Sequence, residues 1–159
     1  MKLLIVDDEE LTRSGLFSSI DWSSLGIRTV LQADDGFNGL VLAKKEKPDI
    51  ILCDVRMPRL TGIQMLEQLE PLLPETVFIF MSGYSDKEYL KAAIRLKAVS
   101  YIEKPLDLQE VRETVLEARE RCLSRRKSRK NETIQSLETA SRLVRQLTLP
   151  DGFEQAATE

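Results

Sequence analysis

The sequence predicts an α/β sandwich: a doubly wound parallel sheet of five strands with helices on both faces. Two observations carry this. Five short apolar runs, at residues 3–6, 27–33, 49–53, 77–81 and 99–102, are separated by helical patterns. Three of them (Leu-Leu-Ile-Val, Ile-Ile-Leu-Cys and Val-Phe-Ile-Phe-Met) are continuously apolar rather than alternating. Strands covered on both faces, as in a parallel sheet, have that pattern.

The helical patterns follow in order. Residues 10–20 place Leu11, Leu16 and Ile20 on one face, and residues 36–47 place Leu40 and Ala43 together until Pro48 ends the helix. Thr61 can cap a helix through Glu70 with Ile63, Leu66 and Leu69 on one side. Asp86 can cap residues 87–97, with Leu90, Ala93 and Ile94 inward. Asp107 can cap a fifth helix, with Leu108, Val111, Val115 and Ala118 inward. A βα unit repeated five times with right-handed crossovers gives a three-layer sandwich. Five strands in about 120 residues match the flavodoxin-like sheet, order 2-1-3-4-5.

The pattern changes after Ala118, and residues 1–122 are expected to form the domain and 123–159 a helical linker or tail. Charge changes there too. Residues 1–118 carry 14 basic and 20 acidic side chains, 119–130 carry seven basic and one acidic, and 131–159 carry two basic and five acidic. The basic run reads as a solvated helix end whose cations complement the helix dipole. No aromatic residues interleave with it, as a nucleic-acid patch would prefer. Ile134, Leu137, Ser141 and Val144 then repeat at helical spacing, but out of heptad register with Leu108, Val111, Val115, Ala118 and Cys122. A stutter or break is expected near 125–133.

Several function classes drop out. No apolar stretch approaches the roughly 20 residues that span a bilayer. The N-terminal Leu3–Val6 run passes directly into acids and reads as a strand, not a signal peptide. A cytoplasmic protein without a membrane partner is expected. Cys53 and Cys122 have neither metal spacing nor a disulfide framework, and Cys53 reads as a small buried hydrophobe. The chain has no histidine. His-dependent triads are excluded, and any phosphohistidine in its chemistry sits on another molecule.

Sites in open α/β sheets form at the carboxyl ends of the strands. Here the first run ends in Asp7-Asp8, the third in Asp54 and the fourth in Ser82, and Lys104 follows the fifth. Three carboxylates, a hydroxyl and an ammonium should therefore converge. Clustered carboxylates repel one another, and a hard cation offsets this. Mg²⁺ suits such oxygen ligands and can share a phosphoryl oxygen. Lys104 adds a flexible positive charge. The set fits phosphoryl transfer to a carboxylate, with Asp54 as the nucleophile.

On Val6-Asp7-Asp8-Glu9, Asp54-Val-Arg-Met-Pro58 with Gly62, Ser82-Gly83, and Tyr101-Ile-Glu-Lys104-Pro105, the chain resembles a two-component response-regulator receiver domain. The resemblance covers about residues 1–122. It implies Asp54 as phosphoacceptor, and Mg²⁺ held by Asp8, Asp54 and the backbone carbonyl of Arg56, with Asp7 acting largely through water. It implies Lys104 on the phosphoryl group, a cis Lys104–Pro105 peptide, and Pro58, Gly62 and Pro105 shaping the pocket. Ser82 and Tyr101 would form a switch pair that repacks the face made by the fourth predicted helix, the fifth strand and the fifth helix. The implied partners are a sensor histidine kinase and a second copy of the chain on phosphorylation. Arg56 and Tyr84, flanking the path of an attacking water, are expected to slow dephosphorylation.

Asp21-Trp22-Ser-Ser-Leu25-Gly26 and Ser82-Gly83-Tyr84-Ser-Asp86 are further similar to receivers of YesN/AraC-type regulators. Those carry a C-terminal DNA-binding domain of about 100 residues, more than the residues after Cys122 can hold. DNA contact is therefore expected only through an output domain outside this chain. Trp22 itself reads as structural.

Two other functions remain in play. One is a stand-alone receiver acting by protein contact. The other is a Mg²⁺-dependent phosphohydrolase that forms an aspartyl-phosphate. Such enzymes usually need a second carboxylate two residues after the nucleophile, where this chain has Arg56.

Overall fold

A computed structural model of the chain describes residues 1–83, 88, 91 and 100–148. Its elements are β1 (Lys2–Val6), α1 (Glu10–Ser19), a short 3₁₀ helix (Trp22–Leu25), β2 (Thr29–Ala33), α2 (Gly36–Glu46), β3 (Ile50–Asp54), α3 (Gly62–Leu69), β4 (Val77–Ser82), β5 (Ser100–Glu103) and a C-terminal helix (Leu108–Thr148). The five strands form one parallel sheet in the order β2-β1-β3-β4-β5. This is the flavodoxin-like sheet that the sequence predicts. The helix expected over 87–97 falls almost wholly outside the described residues.

The continuous apolar runs have a direct cause. Successive side chains of a strand face opposite sides of the sheet. Leu3, Ile5, Ile50, Leu52, Ile79 and Met81 pack with Leu16 of α1 and with Val111, Val115 and Ala118 of the C-terminal helix. Leu4, Val6, Ile51, Cys53, Phe78 and Phe80 pack with Leu40 and Ala43 of α2 and with Ile63, Leu66 and Leu69 of α3. Both layers are covered, so every residue of β3 and β4 is buried. Trp22 closes the first layer at 7% exposure, and its indole N–H donates to the Phe17 carbonyl at 3.3 Å.

Local signals act as expected at several ends. Thr61 and Gln64 form a reciprocal capping box on α3. The Asp107 carboxylate accepts from the Gln109 N–H at 2.8 Å at the start of the C-terminal helix.

Three expectations fail. Leu11 is 83% exposed rather than inward. Only Leu16 and Ile20 join the buried cluster, because Leu11, five residues before Leu16, is turned about 140° away from it around a helix of 3.6 residues per turn. Leu108 is likewise 42% exposed, at the first residue of its helix. The third concerns the break near 125–133, where the helix instead runs from Leu108 to Thr148. No glycine or proline lies between Pro105 and Pro150. A register shift decides which face is apolar, but it does not stop backbone hydrogen bonding.

Contacts divide the chain into Met1–Leu123 and Ser124–Glu159. In the second unit Ile134, Leu137, Leu143, Val144 and Leu147 are exposed. Among the described residues no helix is long and apolar enough to cross a membrane.

Gly62 begins α3 where a Cβ would collide with the Asp54 carbonyl and sit 3.0 Å from Phe80. The Gly62→Ala variant should lose about 1–3 kcal/mol of stability by overpacking. Urea unfolding measures this, and an unchanged midpoint would show that β3 and α3 separate at no cost.

Candidate functional site

The parallel register delivers the acids to one edge. Val6 is opposite Cys53 across β1 and β3, so Asp7 and Asp54 leave neighbouring strand ends together. Asp54 pairs with Met81, which brings Ser82 alongside. Ser82 pairs with Glu103, which places Lys104 next in line. The Lys104 N–H donates to the Ser82 carbonyl at 2.8 Å, and the Lys104–Pro105 peptide is cis.

Lys104 Nζ lies 3.2 Å from Asp7 Oδ2 and 3.2 Å from Asp54 Oδ2. Asp7 is fully buried, Asp54 nearly so, and Asp8 is exposed. One oxygen from each of Asp7, Asp8 and Asp54 can be chosen so that all lie within 4.8 Å of one another. Three carboxylates thus face one ammonium, and the surplus negative charge suits a hard divalent cation. The residues fit Mg²⁺. Asp7, Asp8 and Asp54 would hold it, and it would neutralise oxygens of an arriving phosphoryl group.

Backbone donors fix the acids. The Glu9 N–H donates to Asp7 Oδ1 at 2.9 Å, and the Arg56 N–H donates to Asp54 Oδ1 at 3.3 Å. Arg13 of α1 donates from Nη1 to the Asp7 carbonyl at 2.7 Å. The Cys53 thiol donates to the Asp54 carbonyl at 3.2 Å. Burial, with Asp54 and Asp7 nearby, pushes that thiol well above its ordinary range. It remains a protonated packing group.

Burial also raises the Asp54 carboxyl to about 6, with the Lys104 ammonium opposing and the Asp7 charge reinforcing. Asp7 is raised for the same leading reason, against the Glu9 N–H and Lys104. Burial pulls Lys104 down, but the Asp54 and Asp7 carboxylates outweigh it and leave Lys104 above its ordinary value.

The remaining predicted residues divide. Ser82 is 1% exposed at the end of β4, beside the acids. Tyr101 lies on edge strand β5 at 50% exposure, with its side chain in solvent. Pro58 and Gly62 belong to the loop and helix start after Asp54. Tyr84 lies outside the described residues. Sequence reasoning missed Arg13, and also a pair between Arg59 and Asp35 (Nη2 to Oδ2, 3.4 Å). Both connect residues through folding, so spacing cannot reveal them.

With this geometry in place, the comparisons converge. The response regulator receiver domain family matches residues 3–116, and the chain belongs to it. A two-component transcriptional regulator AraC from Clostridium phytofermentans is 47% identical, with a TM-score of 0.74 over 78% of this chain and 96% of that one. The receiver domain of AraT, a response regulator of Geobacillus stearothermophilus, is 34% identical, with a TM-score of 0.74 over 79% of this chain and 97% of that one. The transcriptional regulatory protein HptR of Staphylococcus aureus is 36% identical over 106 residues, 67% of this chain and 41% of its own length. The chain therefore spans about two fifths of the curated relatives it matches. It is a two-component receiver domain, regulatory in kind rather than a classical enzyme.

A carboxyl raised by burial stabilises the fold when protonated. Its contribution is fully present below about 3.8 and is lost as pH rises through about 6. Without divalent cation, Asp54→Asn should therefore unfold at higher urea at pH 7, by about 1–3 kcal/mol, and the gain should vanish below about pH 4. A variant less stable than wild type at pH 7 would contradict the assigned balance.

Proposed function

We propose that Asp54 accepts a phosphoryl group from a phosphohistidine of a sensor kinase, in the presence of Mg²⁺, and that this switches a transcriptional regulator. The observation that carries the reading is the Lys104 ammonium bridging Asp7 and Asp54 at the mouth of the sheet. Asp54 is the carboxylate placed to attack. Its Oδ forms the bond to phosphorus as the phosphorus–nitrogen bond to histidine breaks. Lys104 follows one of the phosphoryl oxygens, and Asp7, Asp8 and Asp54 would hold the cation, which would supply positive charge to the others. The Arg56 carbonyl completes the cation's protein ligands in this reading.

Phosphorylation replaces a carboxylate with a larger, more highly charged group. Ser82 is close enough in the fold to turn toward it. Tyr101, now in solvent, would follow inward and change the surface around β5. A second copy of the chain would dock on that changed surface. The output would be DNA binding by an AraC-type domain beyond these residues, a reading supported by the similarity to the Clostridium regulator and to HptR. A cytoplasmic location follows from the same reading. Arg56 and Tyr84 would lengthen the lifetime of the acyl phosphate by obstructing water.

Acetyl phosphate with Mg²⁺ tests the site. Intact-mass spectrometry should show one phosphoryl group per chain, removed by EDTA pretreatment and absent from Asp54→Ala, which should still fold. Equal labelling of Asp54→Ala would move the acceptor elsewhere. Sustained turnover of outside phosphate esters would make the chain a hydrolase instead.

A further inference from the structure

The loop from Val55 to Thr61 is held in an unusual way. Its two ends are anchored by the Val55 N–H on the Met81 carbonyl at 3.1 Å and by the Gly62 N–H on the Val55 carbonyl at 3.0 Å. Its tip is a tight turn in which the Leu60 N–H donates to the Pro58 carbonyl at 2.8 Å. Arg59, at the centre of that turn, has φ +67°. This is the rare, strained hand of a three-residue turn, and a long side chain there is unfavourable. Such strain persists only where the surroundings hold it.

The surroundings are the first residues of α2. Arg59 Nη2 lies 3.4 Å from Asp35 Oδ2. Asp35 also caps α2, its Oδ1 accepting the Asn38 N–H at 2.7 Å. Beside it, Gly36 receives the Leu60 carbonyl so closely that a Cβ on residue 36 would overlap it. The dipeptide Asp35-Gly36 thus seats the dipeptide Arg59-Leu60. Arg59 is 72% exposed along its side chain, so the ion pair itself adds little stability. What it fixes is position.

The same loop carries Arg56, whose N–H reaches Asp54 Oδ1 and whose carbonyl joins Asp7, Asp8 and Asp54 in the proposed cation site. We propose that Arg59, seated on Asp35, is a positioning residue for that cation site, holding the Arg56 backbone against Asp54. This rests on the reading of Asp7, Asp8, Asp54 and Arg56 as cation ligands. Loss of the clamp lets the loop relax without touching any carboxylate.

Calorimetric titration with Mg²⁺ alone, paired with urea unfolding in EDTA, tests it on the full chain. Arg59→Gly relieves the positive φ but removes the pair. Asp35→Asn keeps a capping oxygen but removes the charge. Both should bind Mg²⁺ about two- to fivefold more weakly with a urea midpoint close to wild type, and Arg59→Lys should recover most of the affinity. Wild-type affinity in both Arg59→Gly and Asp35→Asn would overturn the clamp while leaving the cation site intact. Absence of Mg²⁺ binding by the wild-type chain would overturn both.

Discussion

One ammonium set among acids governs this molecule. Lys104 Nζ sits 3.2 Å from carboxylates on two different strand ends, Asp7 and Asp54, while Asp8 stands beside them. Desolvation disfavours the charged carboxylates, and their mutual repulsion adds to it. Lys104 offsets only part of this, which is why Asp54 stays raised. The site is an unfinished electrostatic arrangement. It favours whatever brings positive charge, and in the proposed function a cation held there would also shield the oxygens of a phosphoryl group arriving at Asp54.

The fold exists around this constraint in a specific sense. A parallel sheet puts all carboxyl ends on one edge, and the order β2-β1-β3-β4-β5 makes β1 and β3 neighbours. Asp7 and Asp54 could not otherwise share a lysine from the far side of β4. Every residue of β3 and β4 is buried, so the packed core fixes where the acids leave the sheet. Glu9, Arg56 and Arg13 then supply donors to the Asp7 and Asp54 segments. Gly62 lets α3 begin directly against the Asp54 carbonyl.

Much of this was legible in the sequence, and the limits have physical causes. Continuous apolar runs ending in Asp7, Asp54 and Ser82 announce buried parallel strands and their shared edge, because burial on two faces removes the usual alternation. Leu11 was misplaced because five residues carry it about 140° around the helix from Leu16, and Leu108 because it is the first residue of its helix. Periodicity also led to an expected stutter or break at the register shift between Cys122 and Ile134, whereas the stretch holds no glycine or proline and the helix continues to Thr148. The Arg59–Asp35 pair was invisible for a different reason. It depends on a positive φ and on a backbone approach to Gly36, and neither leaves a spacing to read.

The carboxyl titration of Asp54, followed by carbon-detected NMR in metal-free protein and again with Mg²⁺, addresses the central imbalance directly. A midpoint of about 6 without metal, falling clearly once Mg²⁺ is bound, is the result this electrostatic balance requires. An ordinary carboxylate midpoint near 3.8 in the metal-free protein, unmoved by Mg²⁺, would contradict it.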